Sequence, residues 1–192
     1  MSNISSLHNV HKTGLFGDHQ NKEENKLIKI REIKNINLFQ IVKYKNSKEN
    51  LSNFKIDGIN LSENLKTTSN TSTRVIWMGP DNWYVFSTKK IFEDLKIFKE
   101  KDFAITNLSH SRSIIELEGD MIYEVLKKGS PLNVDKLKEG DCANTVYNGI
   151  TITLDIISNN PNILRIFSLR SFGESLYHSI TDSSLEFGYK SI

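Results

Sequence analysis

Several things are scarce or missing in this sequence, and each narrows the reading. Cysteine occurs once, as Cys142, so no disulfide can close within the chain. No apolar run approaches the ~18 residues that a membrane-spanning helix needs. Residues 1–20 lack the basic-then-apolar pattern of a signal peptide. A reducing cytoplasm, with no membrane partner, is therefore the expected setting. Neither sign of charge dominates, since 25 Lys and Arg against 23 Asp and Glu leave a formal net charge of +2. Without a basic block to neutralise phosphates, nucleic acid is not an expected partner. G-x-G-x-x-G, a Walker loop and a C-x-x-C pair are all missing, which removes the common nucleotide and zinc signatures. No metal site and no self-contained catalytic centre are expected.

What remains is the composition of a globular protein, 38% hydrophobic and 25% charged over 192 residues. A chain of this length makes one domain, or one domain plus a tail, and can bury roughly 70% of its unfolded surface. Residues 1–24 are polar and without periodicity and read as an N-terminal arm, leaving residues 25–192 as a single α+β domain. Leu27, Ile28 and Ile30, then Leu38, Phe39, Ile41, Val42 and Tyr44, predict two strands separated by a polar turn. Residues 46–70 suggest one short helix among loops. Strands at Arg74-Val75-Ile76-Trp77-Met78 and Trp83-Tyr84-Val85-Phe86-Ser87 flank Gly79-Pro80-Asp81-Asn82, strong turn chemistry that predicts a hairpin. Thr88 is placed to cap a helix running to Lys99, with Ile91, Phe92, Leu95 and Phe98 on one face.

Farther along, residues 113–118 alternate as a half-buried strand should. Gly119-Asp120 then opens a helix that turns Met121, Ile122, Val125 and Leu126 inward and stops at Gly129. Strands at residues 150–157 and 163–169 precede a last helix opening at Ser171, where Ser171 and Glu174 have capping-box spacing and Phe172, Leu176 and Ile180 share a face. Strand pairs interrupted by single helices predict α+β with a mostly antiparallel sheet.

Few side chains suggest chemistry. Ser109-His110 has the composition of a nucleophile and base, yet neighbours on an extended segment point to opposite faces. A turn tied down by polar side chains accounts for it. His110 and Arg112, two residues apart, share a face if extended and could meet a carboxylate or a partner's acidic side chain; a plain surface ion pair is the alternative. His8, His11 and His19 read as a solvated tail, and Cys142 as a buried, inert thiol. Trp77 and Trp83 flank the hairpin turn, as core residues or as interface anchors. Arginine is rare, so Arg165 and Arg170 around the last long strand stand out; each suits an ion pair, and Arg170 also joins His110, Arg112 and Trp83 as an interface candidate.

A string of landmarks is more specific. Arg74-x-x-Trp77-x-Gly79-Pro80-Asp81-x-Trp83 resembles the R-x-x-W-x-G-P-D-x-W segment of sarcosine oxidase γ subunits. Asn107-Leu108-Ser109-His110-Ser111-Arg112 is similar to their D-x-S-H-x-R. Leu117-x-Gly119, Leu126-x-Lys128-Gly129 and Leu132 follow at the expected distances. Gly140-Asp141-Cys142-Ala143-Asn144-Thr145 resembles G-x-C-A-x-T, and Arg170-Ser171-Phe172-x-x-Ser175-Leu176 resembles R-S-F-x-x-S-L. The residues before Arg74 add little.

This resemblance implies a fold like the folate-binding domain of the glycine-cleavage T-protein. It also implies a place in an α, β, γ, δ heterotetramer that oxidatively demethylates sarcosine to glycine, with hydrogen peroxide and, given tetrahydrofolate, methylene-tetrahydrofolate. FAD, FMN, NAD and tetrahydrofolate would belong to the other subunits, and this chain would be non-catalytic. Asn107 and Asn133 stand where the family has aspartate and Ser130 where it has cysteine, which leaves structural roles there but no catalytic carboxylate. A stand-alone folate-binding or aminomethyltransferase-like protein and a bare interaction module are the competing readings.

Overall fold

The computed structural model describes residues 4–192. Residues 1–3 of the expected arm lie outside them. Where the sequence suggested one body from residue 25 onward, the chain divides into two compact units. Unit 1 takes Met1–Lys34, Ser111–Glu139 and Asn144–Ile192; unit 2 takes Asn35–His110 and Gly140–Ala143. Local periodicity reports faces, and it carries no record of where the chain leaves one core and later returns to it.

The first strands are β1 (Gly14–Phe16), β2 (Ile28–Glu32), β3 (Asn37–Lys43), β4 (Lys55–Ile56), β5 (Ile59–Asn60), β6 (Thr67–Ser69), β7 (Thr73–Gly79) and β8 (Asn82–Ser87). Helix α1 (Phe92–Leu95), β9 (Phe103–Asn107), β10 (Arg112–Glu118) and α2 (Ile122–Gly129) follow. The chain continues with β11 (Cys142–Tyr147), β12 (Ile150–Asn159), β13 (Asn162–Leu169), α3 (Gly173–Ser184) and β14 (Tyr189–Ser191).

Unit 1 is built on a seven-stranded sheet ordered β1-β14-β2-β10-β13-β12-β11. Within it β14 runs parallel to β2, and the β1–β14, β2–β10, β10–β13 and β12–β13 pairs are antiparallel. Register brings Ile30, Leu117, Leu164 and Ile156 side by side across four strands. Alternate positions bring Arg31, Glu116, Arg165 and Asp155 into a second row, because successive strand residues face opposite ways. The aliphatic row packs with Ile122, Val125 and Leu126 of α2 and with Leu176, Tyr177 and Ile180 of α3. Burying a side chain of this size contributes roughly 1.5–3 kcal/mol.

The inward face of α2 is as the spacing predicts. Gly129 differs in its role. It is the last helical residue, and a Cβ there would lie 2.7 Å from Tyr147 Cε2, so close approach requires the glycine. The last helix also differs at its start. Arg170–Phe172 forms a tight 3-10 turn and α3 begins at Gly173 with no side-chain cap. Glu174 accepts instead from Asn9 Nδ2 at 3.1 Å. The tighter turn rotates Phe172 off the helix's inner face, leaving it 47% exposed, while Leu176 and Ile180 stay buried. The arm is likewise less free than its composition suggested. Leu7 is fully buried in the core of unit 1, and β1 pairs with β14. A lone leucine among polar residues leaves no periodic trace.

Unit 2 is built on a five-stranded sheet ordered β6-β7-β8-β3-β9. The β7–β8 hairpin forms as its turn residues predict, with Trp77 opposite Trp83 and Asp81 at φ 55° in the left-handed region. Phe54, Phe98 and Phe103 form an aromatic triad in its core, with centroids 4.9–5.0 Å apart. The helix expected over residues 88–99 shrinks to α1. Thr88 is held elsewhere, its N–H donating to Ser72 O at 3.0 Å, so it caps nothing. Ile91, Leu95 and Phe98 are buried as expected, but Phe92 is 64% exposed.

Candidate functional site

The pairing of β10 with β13 sets Arg112 opposite Leu169 at one end of the unit 1 sheet. The Arg170 N–H extends the ladder by donating to Ser111 O at 3.0 Å. The chain then turns through the 3-10 segment into α3. Gly173 permits this, since a Cβ there would sit 2.9 Å from both Cβ and Oγ of Ser113. An open cleft of about 700 Å³ results, lined by Arg112, Arg170, Glu174 and the hydroxyls of Ser111, Ser171 and Ser175.

Ser5 and Ser6 supply another wall. The Ser5 hydroxyl donates to Glu32 Oε2, and Ser6 Oγ lies 2.8 Å from Glu32 Oε1 and 2.9 Å from Ser113 Oγ. Burial pushes the Glu32 carboxyl up, but hydrogen bonds from Ser5, Ser6 and Lys34 outweigh it and hold the pKa below its ordinary value. Glu32 is thus an ionised anchor for the arm. The guanidinium of Arg112 donates from Nη1 to the carbonyl and hydroxyl of Ser111, both at 3.2 Å. Arg170 donates from Nη2 to the Ile4 carbonyl.

Among the four interface candidates, Arg112 and Arg170 therefore meet in one cleft. His110 is an exposed residue of unit 2. Trp83 is corrected by its placement: it is 3% exposed, in the core of unit 2, with its indole N–H donating to Ser62 O at 2.9 Å. The tryptophan needed a partner for that N–H, and its own chain provides one.

The segment before Arg112 is a tied turn. Ser109 Oγ accepts the Leu38 N–H at 3.0 Å, and Asn107 Oδ1 accepts the Ser109 N–H at the same distance. Both hydroxyl and amide thus serve the backbone, the structural role left open for Asn107. Cys142 is buried, its thiol 3.2 Å from Lys66 O and 3.3 Å from Trp77 O. Of the arm histidines, His11 packs edge-on to Tyr177 with centroids 5.5 Å apart, and His19 Nδ1 lies 2.8 Å from Gly17 O. Burial and the nearby Lys34 hold the His11 pKa below its ordinary value. Among the described residues no group of His, Cys, Asp and Glu is arranged to hold a metal ion, and no helix is long and apolar enough to cross a membrane.

Two polar clusters escaped the sequence reading. Glu116 is held by Arg31 Nε at 2.9 Å and Arg165 Nε at 2.7 Å, so the ion pair expected for Arg165 forms inside the sheet. The signal was there, a glutamate within the apolar run of β10. Asp57 accepts from Ser72 Oγ, Thr73 Oγ1 and Asn70 Nδ2, at 2.8, 2.8 and 3.0 Å. These bonds, led by Ser72, hold its carboxyl well below the ordinary carboxylate range.

No protein-family model and no curated protein matches the chain. Among solved structures, it is similar to a chain of the heterotetrameric sarcosine oxidase from Corynebacterium sp. U-96, in complex with pyrrole 2-carboxylate. The TM-score is 0.76 at 20% identity, covering 86% of this chain and 87% of that one. It is also similar to the glycine cleavage system aminomethyltransferase T from Bartonella henselae, with a TM-score of 0.58 at 11% identity. That match covers 82% of this chain but only 46% of the other, so the chain spans about half of the aminomethyltransferase. At these identities the likeness is one of fold: α+β with mostly antiparallel sheets, as the sequence predicted.

Proposed function

We propose that this chain is the γ subunit of a sarcosine oxidase-like heterotetramer, a cytoplasmic flavoenzyme that demethylates sarcosine oxidatively to glycine. Its partners are α, β and δ subunits, and FAD, FMN, NAD and tetrahydrofolate reside on those partners. The chain itself is non-catalytic and helps hold the assembly together. One coincidence carries this reading: the five motif segments between Arg74 and Leu176 fall, in order, on a fold that matches a chain of such an enzyme over 86% of this chain. His110, Arg112 and Arg170 are surface positions from which it would contact its neighbours.

The test is a tagged pull-down after co-expression with the neighbouring genes. A yellow eluate that produces peroxide when given sarcosine is the expected result. A second reading, a stand-alone folate-binding or aminomethyltransferase-like protein, draws on the fold shared with aminomethyltransferase T. A colourless single chain that binds tetrahydrofolate would replace the first reading with the second.

A further inference from the structure

We infer that the cleft at the end of the unit 1 sheet is a carboxylate-binding site, filled in the assembled enzyme by an acidic side chain of a partner subunit. The partner as source rests on the subunit reading above; the site itself does not. Five arginines occur in the chain, and the contrast within unit 1 is informative. Arg31 and Arg165 are both engaged by Glu116, whereas Arg170 makes no ion pair among the described residues. An arginine stays charged at any physiological pH, and its planar fork matches a carboxylate. Arg170 is not left to wander, because its bond to the Ile4 carbonyl fixes one nitrogen at the cleft wall. Arg112 is anchored in the same way on Ser111. A fork fixed in advance loses less freedom when it takes a ligand.

The rest of the lining agrees. Ser111, Ser171 and Ser175 bring hydroxyl donors. The first turn of α3 opens onto the cleft without a side-chain cap, adding a partial positive charge to that of the arginines. Glu174, also in the lining, selects the class of ligand. Its carboxylate tempers the positive charge of the lining, which disfavours a phosphate dianion relative to a singly charged carboxylate.

The first arm of the test titrates the full chain, expressed alone and labelled with nitrogen-15, with sodium acetate against sodium chloride at equal ionic strength. Saturable amide shifts confined to residues 4–6, 111–113 and 169–175 are expected. They should weaken about tenfold in Arg170→Gln, the size expected for one charge-assisted hydrogen bond, with the remaining spectrum unchanged. Arg112→Gln serves as the independent second variant. Acetate shifts that do not saturate, or that persist in both variants, would overturn the site; so would tighter binding of inorganic phosphate. The second arm compares partner recovery with tagged wild-type and Arg170→Gln chains, where about tenfold less partner is expected for the variant. Full recovery with intact acetate binding would overturn the partner as source in favour of a small free carboxylate. Recovery of no partner by the wild type would sink the subunit reading and leave the acetate result standing.

Discussion

In unit 1 a row of aliphatic side chains, Ile30, Leu117, Leu164 and Ile156, alternates with a row of charges, Arg31, Glu116, Arg165 and Asp155, across the same four strands. In unit 2 no such row exists among the described residues, and rings share the interior with aliphatic side chains, Phe54, Phe98 and Phe103 being in mutual contact. The charges alternate in sign from strand to strand, and Asp155 and Glu116 are both buried. A slip of one residue in any of these strands would put a charge among the aliphatics, so the row fixes register more than it adds stability. The rings of unit 2 come from a loop, from the segment after α1 and from β9, and they join pieces whose local structure is weak. Both units pair strands and pack a core; unit 1 adds a charged row that marks register, and unit 2 adds rings that tie irregular segments together.

This contrast is open to attack. The largest effect is expected from Glu116→Ala, which leaves Arg31 and Arg165 without their shared partner. A loss of about 3–5 kcal/mol in urea unfolding is expected; a loss under about 1 kcal/mol would mean that the Glu116 pairs add nothing to stability. Next comes Phe103→Ala, expected to remove about 3 kcal/mol by opening the aromatic triad. Amide exchange should then rise within residues 35–110 while β10 and α2 stay protected, and equal loss in both units would erase the distinction drawn above. Ser109→Ala should cost about 1 kcal/mol, since it removes the acceptor for the Leu38 N–H.

The smallest effect is a change of slope with pH. Asp57 has its pKa lowered in the folded chain from the ordinary 3.8, so its contribution is fully present above that value and is lost as pH falls below it toward the folded pKa. In Asp57→Asn the thermal midpoint should therefore fall less steeply between about pH 4 and 2.5 than in the wild type. Parallel curves would remove Asp57 from the polar cluster that unit 2 has in place of a charge row.

Much of the local structure was legible and much of the assembly was not. Gly79-Pro80-Asp81-Asn82 sufficed for the β7–β8 hairpin, and residues 113–118 for a strand at β10, because those signals are local; the expected half-burial failed, since Ser113 to Leu117 are buried on both faces. The separation of β2 and β3 into different sheets left no local trace, since both read only as strands separated by a polar turn. The helix over residues 88–99 misled because apolar spacing persisted after the backbone had turned away. For the site, Arg112 was singled out with His110, and Arg170 for its rarity beside the last long strand; only the β10–β13 register could show that the two arginines line one cleft. Trp83 read as either core or anchor, and its burial in the core was not decidable from sequence, because its N–H partner Ser62 lies in a stretch without pattern.

The place of β14 has a consequence for biosynthesis. Its residues, Tyr189–Ser191, lie between β1 and β2 in the sheet order, so Gly14 waits for Ser191 as its partner. On a ribosome, β1 can make no ladder until nearly the whole described chain has emerged, whereas residues 35–110 are complete much earlier. Translation thus favours the aromatic unit as the first to form, with the amino-terminal strand held in reserve as the closing piece. Ribosome-bound chains stalled shortly before residue 189 should be sensitive to protease at the amino-terminal segment, and that sensitivity should vanish once Tyr189–Ser191 are free to pair.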